Sequence, residues 1–159
     1  MIRSALENDA YGIAETIFQS RQNAFDNVAD DDHLKNINIP RFENMMRNNI
    51  INKLEDIFVY EDSSRIVGFI SGKKVDNNNA EIIGFYIRPE FQKMGIGKKL
   101  FVHAVDFYRN MNVVKINIRT LKGARCTDFY LKMNCTIDKF ESLTFGPREY
   151  DGVVFGLEI

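Results

Sequence analysis

The first fifty residues show a short apolar segment followed by two stretches with helical spacing. Met1 to Ala5 is a strand candidate, and Asn8 or Asp9 is positioned to cap the first helix. Pro40 fits the first turn of a second helix, and the polar stretch from Asp30 to that proline is predicted to connect the two. The apolar positions that define the two helix faces are Ile13, Ile17 and Phe18, then Phe42, Met45, Met46 and Ile50.

After the second helix the apolar period changes to the alternation of strands. Ile57 to Tyr60 and Ile66 to Ser71 are predicted to form a hairpin, joined by a tight turn from Glu61 to Arg65. Asp76 to Asn79 is predicted to be another turn, because Asn and Asp tolerate left-handed backbone angles. Glu81 to Arg88 is then predicted to be a long buried strand, ended by the proline that follows.

The remaining elements alternate between helix and strand. Gly95 begins an amphipathic helix of about 15 residues. The later elements are a strand from Val113 to Arg119, a short helix from Ala124 to Lys132, and strands from Ile137 to Phe145 and Val153 to Glu158, with Asp151-Gly152 as a turn signal. The order is strand, two helices, three strands, helix, strand, helix, two strands, which predicts a mixed α/β (α+β) fold around a central sheet.

Composition and charge narrow the class of protein. The 159 residues suit one domain spanning 1–159, and the 45% hydrophobic and 27% charged residues are typical of a globular chain. A net charge of −1 gives no basic surplus for nucleic acid. No apolar run approaches the roughly 20 residues that span a bilayer, and the first residues lack a signal-peptide core, so a cytoplasmic location without membrane contact is expected. Cys126, Cys135, His33 and His103 show no metal-site spacing, so no metal is expected.

The turn from Gln92 to Lys99 carries the candidate chemistry. It lies between a strong strand and a strong amphipathic helix, and Gly95 and Gly97 remove the Cβ atoms that would block a ligand from the backbone. The amides of a first helical turn have no partner within the helix, and the helix dipole adds positive charge there, so an anion is the natural occupant. A glycine pair that only permits close packing is the alternative.

Two rival phosphate motifs fail at this turn. A dinucleotide-binding fingerprint requires a third glycine at position 100, which is Leu100, and an acidic residue about 20 positions on, where the strand ends in Arg119-Thr120. A P-loop requires four residues between its glycines before Gly-Lys, and the turn lacks them. The anion must therefore belong to another class of ligand.

The run from Ala80 to Gly97 resembles the central motif of the GNAT superfamily of N-acetyltransferases. Its core is Gln/Arg-x-x-Gly-x-Gly/Ala after a hydrophobic strand, here Gln92, Gly95 and Gly97, and the order of elements is similar over essentially the whole chain. The resemblance implies a mostly antiparallel central sheet flanked by helices, and acetyl-CoA as co-substrate. The cofactor-binding residues that it implies are Phe85, Ile87, Gln92, Lys93, Met94, Gly95, Ile96, Gly97, Lys98 and Tyr130.

In this resemblance the amides from Gln92 to Lys98 hold the pyrophosphate, and the backbone of Phe85 and Ile87 pairs with the pantetheine arm like an added strand. A backbone N–H, most simply that of Ile87, would donate to the thioester oxygen.

Two side chains are candidate catalytic residues. A primary amine has a pKa near 10.4, so its proton must be accepted before attack. Glu81 stands where the histone acetyltransferase branch of GNATs carries its glutamate base, and ordered water or a purely solvated glutamate is the alternative. Tyr130, in the family's Phe-Tyr pair, would donate a proton to the leaving thiolate, with a packed core aromatic as the alternative. Gly123 replaces the family's Asn upstream of this pair, so one expected cofactor contact lacks its side chain.

Two classes of function follow. The first is an enzyme that moves the acetyl group of acetyl-CoA to a primary amine of a small molecule or protein. The second is a non-catalytic acyl-CoA-binding or interaction module on the same scaffold. The expected partners are acetyl-CoA and an amine acceptor, with neither nucleic acid nor membrane, and a homodimer is left open. The resemblance implies that the first two helices and their connection, Phe18 to Ile51, shape the acceptor site. Within it, Asp30 to Asp32 could attract a cationic amine and His33 could line the substrate mouth, with solvated side chains as the alternative.

Overall fold

A computed structural model describes residues 1–24, 38–145 and 148–159. The described strands are β1 Ile2–Ser4, β2 Asp56–Asp62, β3 Arg65–Lys74, β4 Asn79–Ile87, β5 Lys115–Leu121, β6 Thr136–Phe145 and β7 Arg148–Glu158. The described helices are α1 Ala10–Ala24, α2 Ile39–Ile51, α3 Ile96–Asn110 and α4 Thr127–Lys132, with short 3-10 turns at Glu7–Asp9 and Pro89–Phe91. This order confirms the one predicted from the apolar pattern.

The described strands form one seven-stranded sheet in the order β1-β2-β3-β4-β5-β7-β6. β4 and β5 pair in parallel, and the other neighbours pair antiparallel. Because side chains alternate along strands, the sheet offers two apolar faces. α1 and α2 pack on one face of the sheet, and α3 and α4 pack on the other. Each pair of helices forms a separate buried hydrophobic cluster with its face of the sheet. The mixed, mostly antiparallel fold class is therefore confirmed.

Helix ends follow the capping residues in the sequence. The Asn38 side chain accepts a hydrogen bond from the Arg41 amide at 2.9 Å, and Pro40 lies in the first turn of α2 as predicted. Asp9 lies in the 3-10 turn before α1, where its carboxylate accepts from the Leu6 amide at 2.7 Å. Both caps satisfy N–H groups that have no partner inside the helix.

Two of the predicted turns differ in the structure. The turn at Asp76 uses its side chain, which accepts from the amides of Asn78 and Asn79, and no residue from 76 to 79 is left-handed. The predicted Asp151-Gly152 turn is wrong, because both residues lie inside β7. A Cβ at Gly152 would lie 2.9 Å from the carbonyl oxygen of Glu141, so this glycine permits close packing of strands.

β4 is less buried than predicted, and Arg88 just after it is buried completely. Ile83, in the middle of the strand, is 46% exposed. The Arg88 guanidinium donates to the Ile66 carbonyl at 2.8 Å and to Glu15 at 2.8 Å, so a buried charge is fully paired and ties the end of β4 to α1. No helix among the described residues is long and apolar enough to cross a membrane.

Candidate active site

β4 and β5 separate half-way along their length. They pair over four positions, from Asn79 opposite Lys115 to Ile82 opposite Ile118. Ile83 has no counterpart in the β3–β4 register, so β4 bulges at this residue. A bulge bends the strand and increases its twist, and the two strands diverge from here. We call the opening between them the splay and its closed end, at Ile82 and Ile118, the apex.

The far half of β4 presents backbone groups to the splay. Arg88 donates its amide to the Val67 carbonyl of β3 at 2.9 Å. Because backbone groups alternate in direction along a strand, those of Phe85 and Ile87 point away from β3, into the splay. The Ile87 carbonyl accepts from the Ser20 hydroxyl and the Gln92 side chain, both at 3.0 Å. At Ile87, the N–H is thus the backbone group left for a ligand.

The turn between β4 and α3 presents backbone amides at the open end of the splay. Gly95 and Lys93 are both left-handed, with φ of 81° and 61°. The first helical hydrogen bond runs from the Lys99 amide to the Gly95 carbonyl at 3.1 Å, so the amides of residues 96–98 precede the helical ladder. A Cβ at Gly95 would meet no atom within 4 Å, so the space beside this glycine is open. The geometry suits an anion.

An aromatic cluster forms the floor beneath this turn. The rings of Phe85, Phe101 and Phe129 lie 5.4–6.2 Å apart. A Cβ at Gly97 would contact Phe129 and Phe85 at 3.6 Å, an ordinary van der Waals distance. These contacts hold α3 and α4 against β4. The exposed side chains of Gln92, Lys93, Met94 and Lys98 surround the turn, while Ile96 packs into the core.

Tyr130 lies on α4 with its ring packed between Phe101, Phe129 and Phe155. Burial raises the pKa of its hydroxyl well above the ordinary value, and nearby Cys126 and Tyr86 add to the increase. A raised phenol pKa means that the hydroxyl stays protonated at neutral pH, as a proton donor requires.

Glu81 lies one residue before the apex, on the sheet face opposite α3. Its Oε1 accepts a hydrogen bond from Arg119 of β5, and Arg119 also donates through Nε to Glu141 of β6 at 2.8 Å. The hydrogen bonds that Arg119 donates, first to Glu141 and then to Glu81, raise its pKa. The predicted base therefore stands at the narrow end of the splay, and no spacing in the sequence indicates its ion pair with Arg119.

Comparison with known proteins identifies the family. The acetyltransferase (GNAT) family model matches residues 16–134, most of the chain. The chain belongs to the GNAT acetyltransferase family. The family match confirms the predicted class of enzyme, an acetyl-CoA-dependent N-acetyltransferase. Comparison with curated protein sequences finds no match.

Solved structures share the fold of this GNAT protein over nearly its full length. The PaiA N-acetyltransferase from Thermoplasma acidophilum in complex with coenzyme A has 17% identity and a TM-score of 0.81, covering 100% of this chain and 98% of that one. An N-acetyltransferase from Staphylococcus aureus Mu50 has 16% identity, a TM-score of 0.73 and coverage of 99% and 97%. YncA from Salmonella typhimurium with its cofactor acetyl-CoA has 16% identity, a TM-score of 0.72 and coverage of 99% and 92%.

The departures from the GNAT tyrosine motif have backbone explanations. Gly123 has a φ of 80°, a conformation that favours glycine. Asn134 stands where the motif has glycine, and its φ of 63° is the left-handed conformation that such a cap after α4 requires.

Several residues of α1 and α2 were missed or misjudged from the sequence. Arg21 of α1 donates to the Tyr86 hydroxyl at 3.2 Å and lies over the Phe42 ring at 5.5 Å, which joins both helices to the splay. Met46 is buried, but Met45, also expected in the core, is 45% exposed. The acidic run at 30–32 and the histidine at 33 lie outside the described residues. Within the described ranges no cluster of His, Cys, Asp or Glu could hold a metal ion.

Proposed function

We propose that this GNAT protein transfers the acetyl group of acetyl-CoA to a primary amine of a small molecule or protein by direct attack on the thioester. One observation carries the proposal. Beyond Ile82, β4 has no β5 partner, and this open backbone edge runs from the apex beside Glu81 to the amide-lined turn at Gly95. A ligand with a phosphate end, an extended amide arm and a reactive far end matches this order, and coenzyme A is such a ligand.

The cofactor half follows from backbone groups. The amides of the turn up to Lys98 would hold the pyrophosphate, with exposed lysines raising the local positive potential. The Gln92 amide, predicted to be one of them, already donates to the Pro89 carbonyl at 3.2 Å. The pantetheine arm would pair with the splay-facing groups of Phe85 and Ile87 like an added strand. The N–H of Ile87 is suited to this pairing, because its carbonyl already accepts from Ser20 and Gln92.

Acetyl-CoA supplies a thioester whose carbonyl carbon is attacked by the amine and whose sulfur departs as a thiolate. The residues of the chain then have two proton transfers to perform. Glu81, directly or through ordered water, accepts the proton that the amine loses as the C–N bond forms. Tyr130 donates its phenolic proton to the thiolate as the C–S bond breaks. Burial raises the pKa of this phenol, so it is protonated at neutral pH but is a weaker acid than an exposed tyrosine.

A backbone N–H would stabilise the negative charge that develops on the thioester oxygen. Ile87 was the first candidate, but it lies five residues beyond Ile82, or about 16 Å along an extended strand. Phe85 lies three residues beyond, or about 10 Å. A thioester that reaches towards Glu81 would be closer to the Phe85 N–H, so we add Phe85 as a second candidate donor.

The test is release of free thiol from acetyl-CoA with a panel of amines: spermidine, kanamycin, lysine, and a peptide with a free N-terminus. We expect turnover with at least one amine, a requirement for the Tyr130 hydroxyl, and an N-acetylated product of the expected mass. Tight coenzyme A binding with no turnover on any amine, unaffected by Tyr130→Phe, would instead support the non-catalytic binding module. The cytoplasmic location and the single domain stay predictions.

A further inference from the structure

We propose that Arg119 is a positioning residue that orients the Glu81 carboxylate at the apex, with Glu141 as its second anchor. The inference rests on the proposed function, in which Glu81 accepts the proton of the amine. We call Arg119, Glu81 and Glu141 the apex clamp.

Arg119 lies where the two strands begin to part. The last paired residue of β5 is Ile118, so Arg119 is the first residue of β5 past the ladder. Glu81 pairs with Asn117, two positions earlier, and residues two apart in a strand share a face. Arg119 can therefore reach back to Glu81 across the gap, and its Nη1 donates to Oε1. The contact joins β4 to β5 by side chains just where backbone pairing stops.

The other side of Arg119 is anchored across a whole strand. β7 lies between β5 and β6, yet Arg119 Nε reaches Glu141 of β6 at 2.8 Å. Gly152 of β7 pairs with Glu141 and has no side chain to stand between them. The Lys139 ammonium group lies 3.0 Å from the second carboxylate oxygen of Glu141, so both oxygens of Glu141 are paired.

A guanidinium anchored in this way sets the orientation of the Glu81 carboxylate in addition to balancing its charge. Its donors lie in one rigid plane, so with Nε bound to Glu141 the direction of Nη1 is set. Nη1 binds Oε1 of Glu81, and among the described residues no contact to Oε2 is seen. One carboxylate oxygen is thus held, and the other is left to accept a proton. A lysine, which is a single charge on a flexible stem, could not transmit the same orientation.

A double-mutant cycle tests whether Arg119 acts through Glu81. We would measure kcat at saturating acetyl-CoA for the wild type, Glu81→Gln, Arg119→Gln and the double variant, with the panel amine that gives the fastest turnover. Removing a general base costs about 100-fold in kcat, and misorienting it costs about 10-fold. We expect Arg119→Gln to lower kcat about 10-fold alone and to have no further effect in the Glu81→Gln background.

Three measurements separate orientation from structure. Arg119→Lys should recover less than half of the lost activity, and Glu141→Gln should lower kcat about 3-fold, with coenzyme A affinity unchanged in both. An equal loss from Arg119→Gln in both Glu81 backgrounds would overturn the inference and leave the proposed function intact. Unchanged kcat in Glu81→Gln would also overturn it, and would assign the proton to ordered water. If the wild type acetylates no amine, the proposed function fails and the apex clamp fails with it.

Discussion

The two ends of the splay differ in the groups that line them, backbone amides at one end and side chains at the other. At the open end, the candidate pyrophosphate site consists of backbone amides around a left-handed glycine, above a floor of aromatic rings. At the apex, the candidate proton acceptor is a side chain held by other side chains from two neighbouring strands, β5 and β6. Backbone amides are the same in every sequence, so the open end depends on where the glycines fall. The apex depends on which side chains meet across the sheet, and these can change without altering the fold.

This difference bears on the specificity of the proposed enzyme. Backbone amides that bind a phosphate need no particular side chain. In the proposed function the amine would meet side chains such as those of Arg21, Tyr86 and Glu81, which single substitutions can change. A family that shares one cofactor and differs in acceptor would be expected to vary at the apex and around α1 and α2.

The largest expected effect is that of Tyr130→Phe, which removes the hydroxyl from a ring packed against Phe101, Phe129 and Phe155. Loss of a general acid should lower kcat about 100-fold while coenzyme A affinity, measured by calorimetry, stays within about 2-fold. Because burial raises the pKa of this phenol, its deprotonation should not limit the wild-type kcat below about pH 10. A weakened affinity with unchanged kcat would make Tyr130 part of the cofactor floor alone.

The open end can be tested with a matched pair at Gly95. Asp and Asn have nearly the same shape and both tolerate the left-handed conformation found there. We expect Gly95→Asp to weaken coenzyme A binding about 30-fold and Gly95→Asn about 5-fold, because the carboxylate repels the pyrophosphate. Equal losses would show that size, not charge, matters.

Gly97→Ala is the control for this pair, since a Cβ there makes ordinary contacts with Phe85 and Phe129. It should change coenzyme A affinity by less than about 2-fold.

A smaller effect is expected at Lys98, which is exposed in the first turn of α3. Lys98→Ala should weaken coenzyme A binding about 5-fold at low salt, because the lysine raises the potential at the amides without positioning the phosphates. The difference from wild type should vanish in about 1 M salt, where screening acts within about 3 Å. A loss that persists at high salt would indicate a direct, desolvated contact.

The smallest effect is expected at Asp56 of β2, which lies two strands away from the apex. Burial raises the pKa of this carboxyl, and Tyr108 donates to it at 3.2 Å. Asp56→Asn keeps an acceptor and removes the buried charge, so at pH 7 we expect stability to rise by about 1 kcal/mol or less, or about 2–4 °C in Tm.

The sign of the pH dependence follows from the raised pKa. The folded protein binds this proton more tightly than the unfolded chain, so wild-type stability rises as pH falls through the folded pKa of Asp56, and the gap to Asp56→Asn narrows. A gap that widens on acidification, in Tm measured by calorimetry, would contradict the assignment. Acetyl transfer should be unchanged.

The fold could be predicted where it depends on local sequence patterns. Features that depend on pairing between distant segments could not be predicted. The apolar period and the glycine at position 95 are local, and the order of elements and the start of α3 were confirmed. Gly152 looked like a turn residue because Asp-Gly is a turn signal, but its role depends on strands that are distant in sequence. The same holds for the site: the turn could be found from glycine spacing, whereas the partners of Arg119 and the burial of Arg88 depend on contacts that no spacing encodes.

The short parallel ladder between β4 and β5 has a consequence for cooperativity. Four residue pairs join the two parts of a seven-stranded sheet, so this seam has few backbone hydrogen bonds to lose when it opens. A ligand that lies along β4 as an extra strand would lengthen the seam. Free ligand at 100 times its Kd stabilises a folded protein by about 2.7 kcal/mol. Occupancy by the cofactor would then slow amide exchange on both sides of the seam together, and the sheet would respond as a single unit.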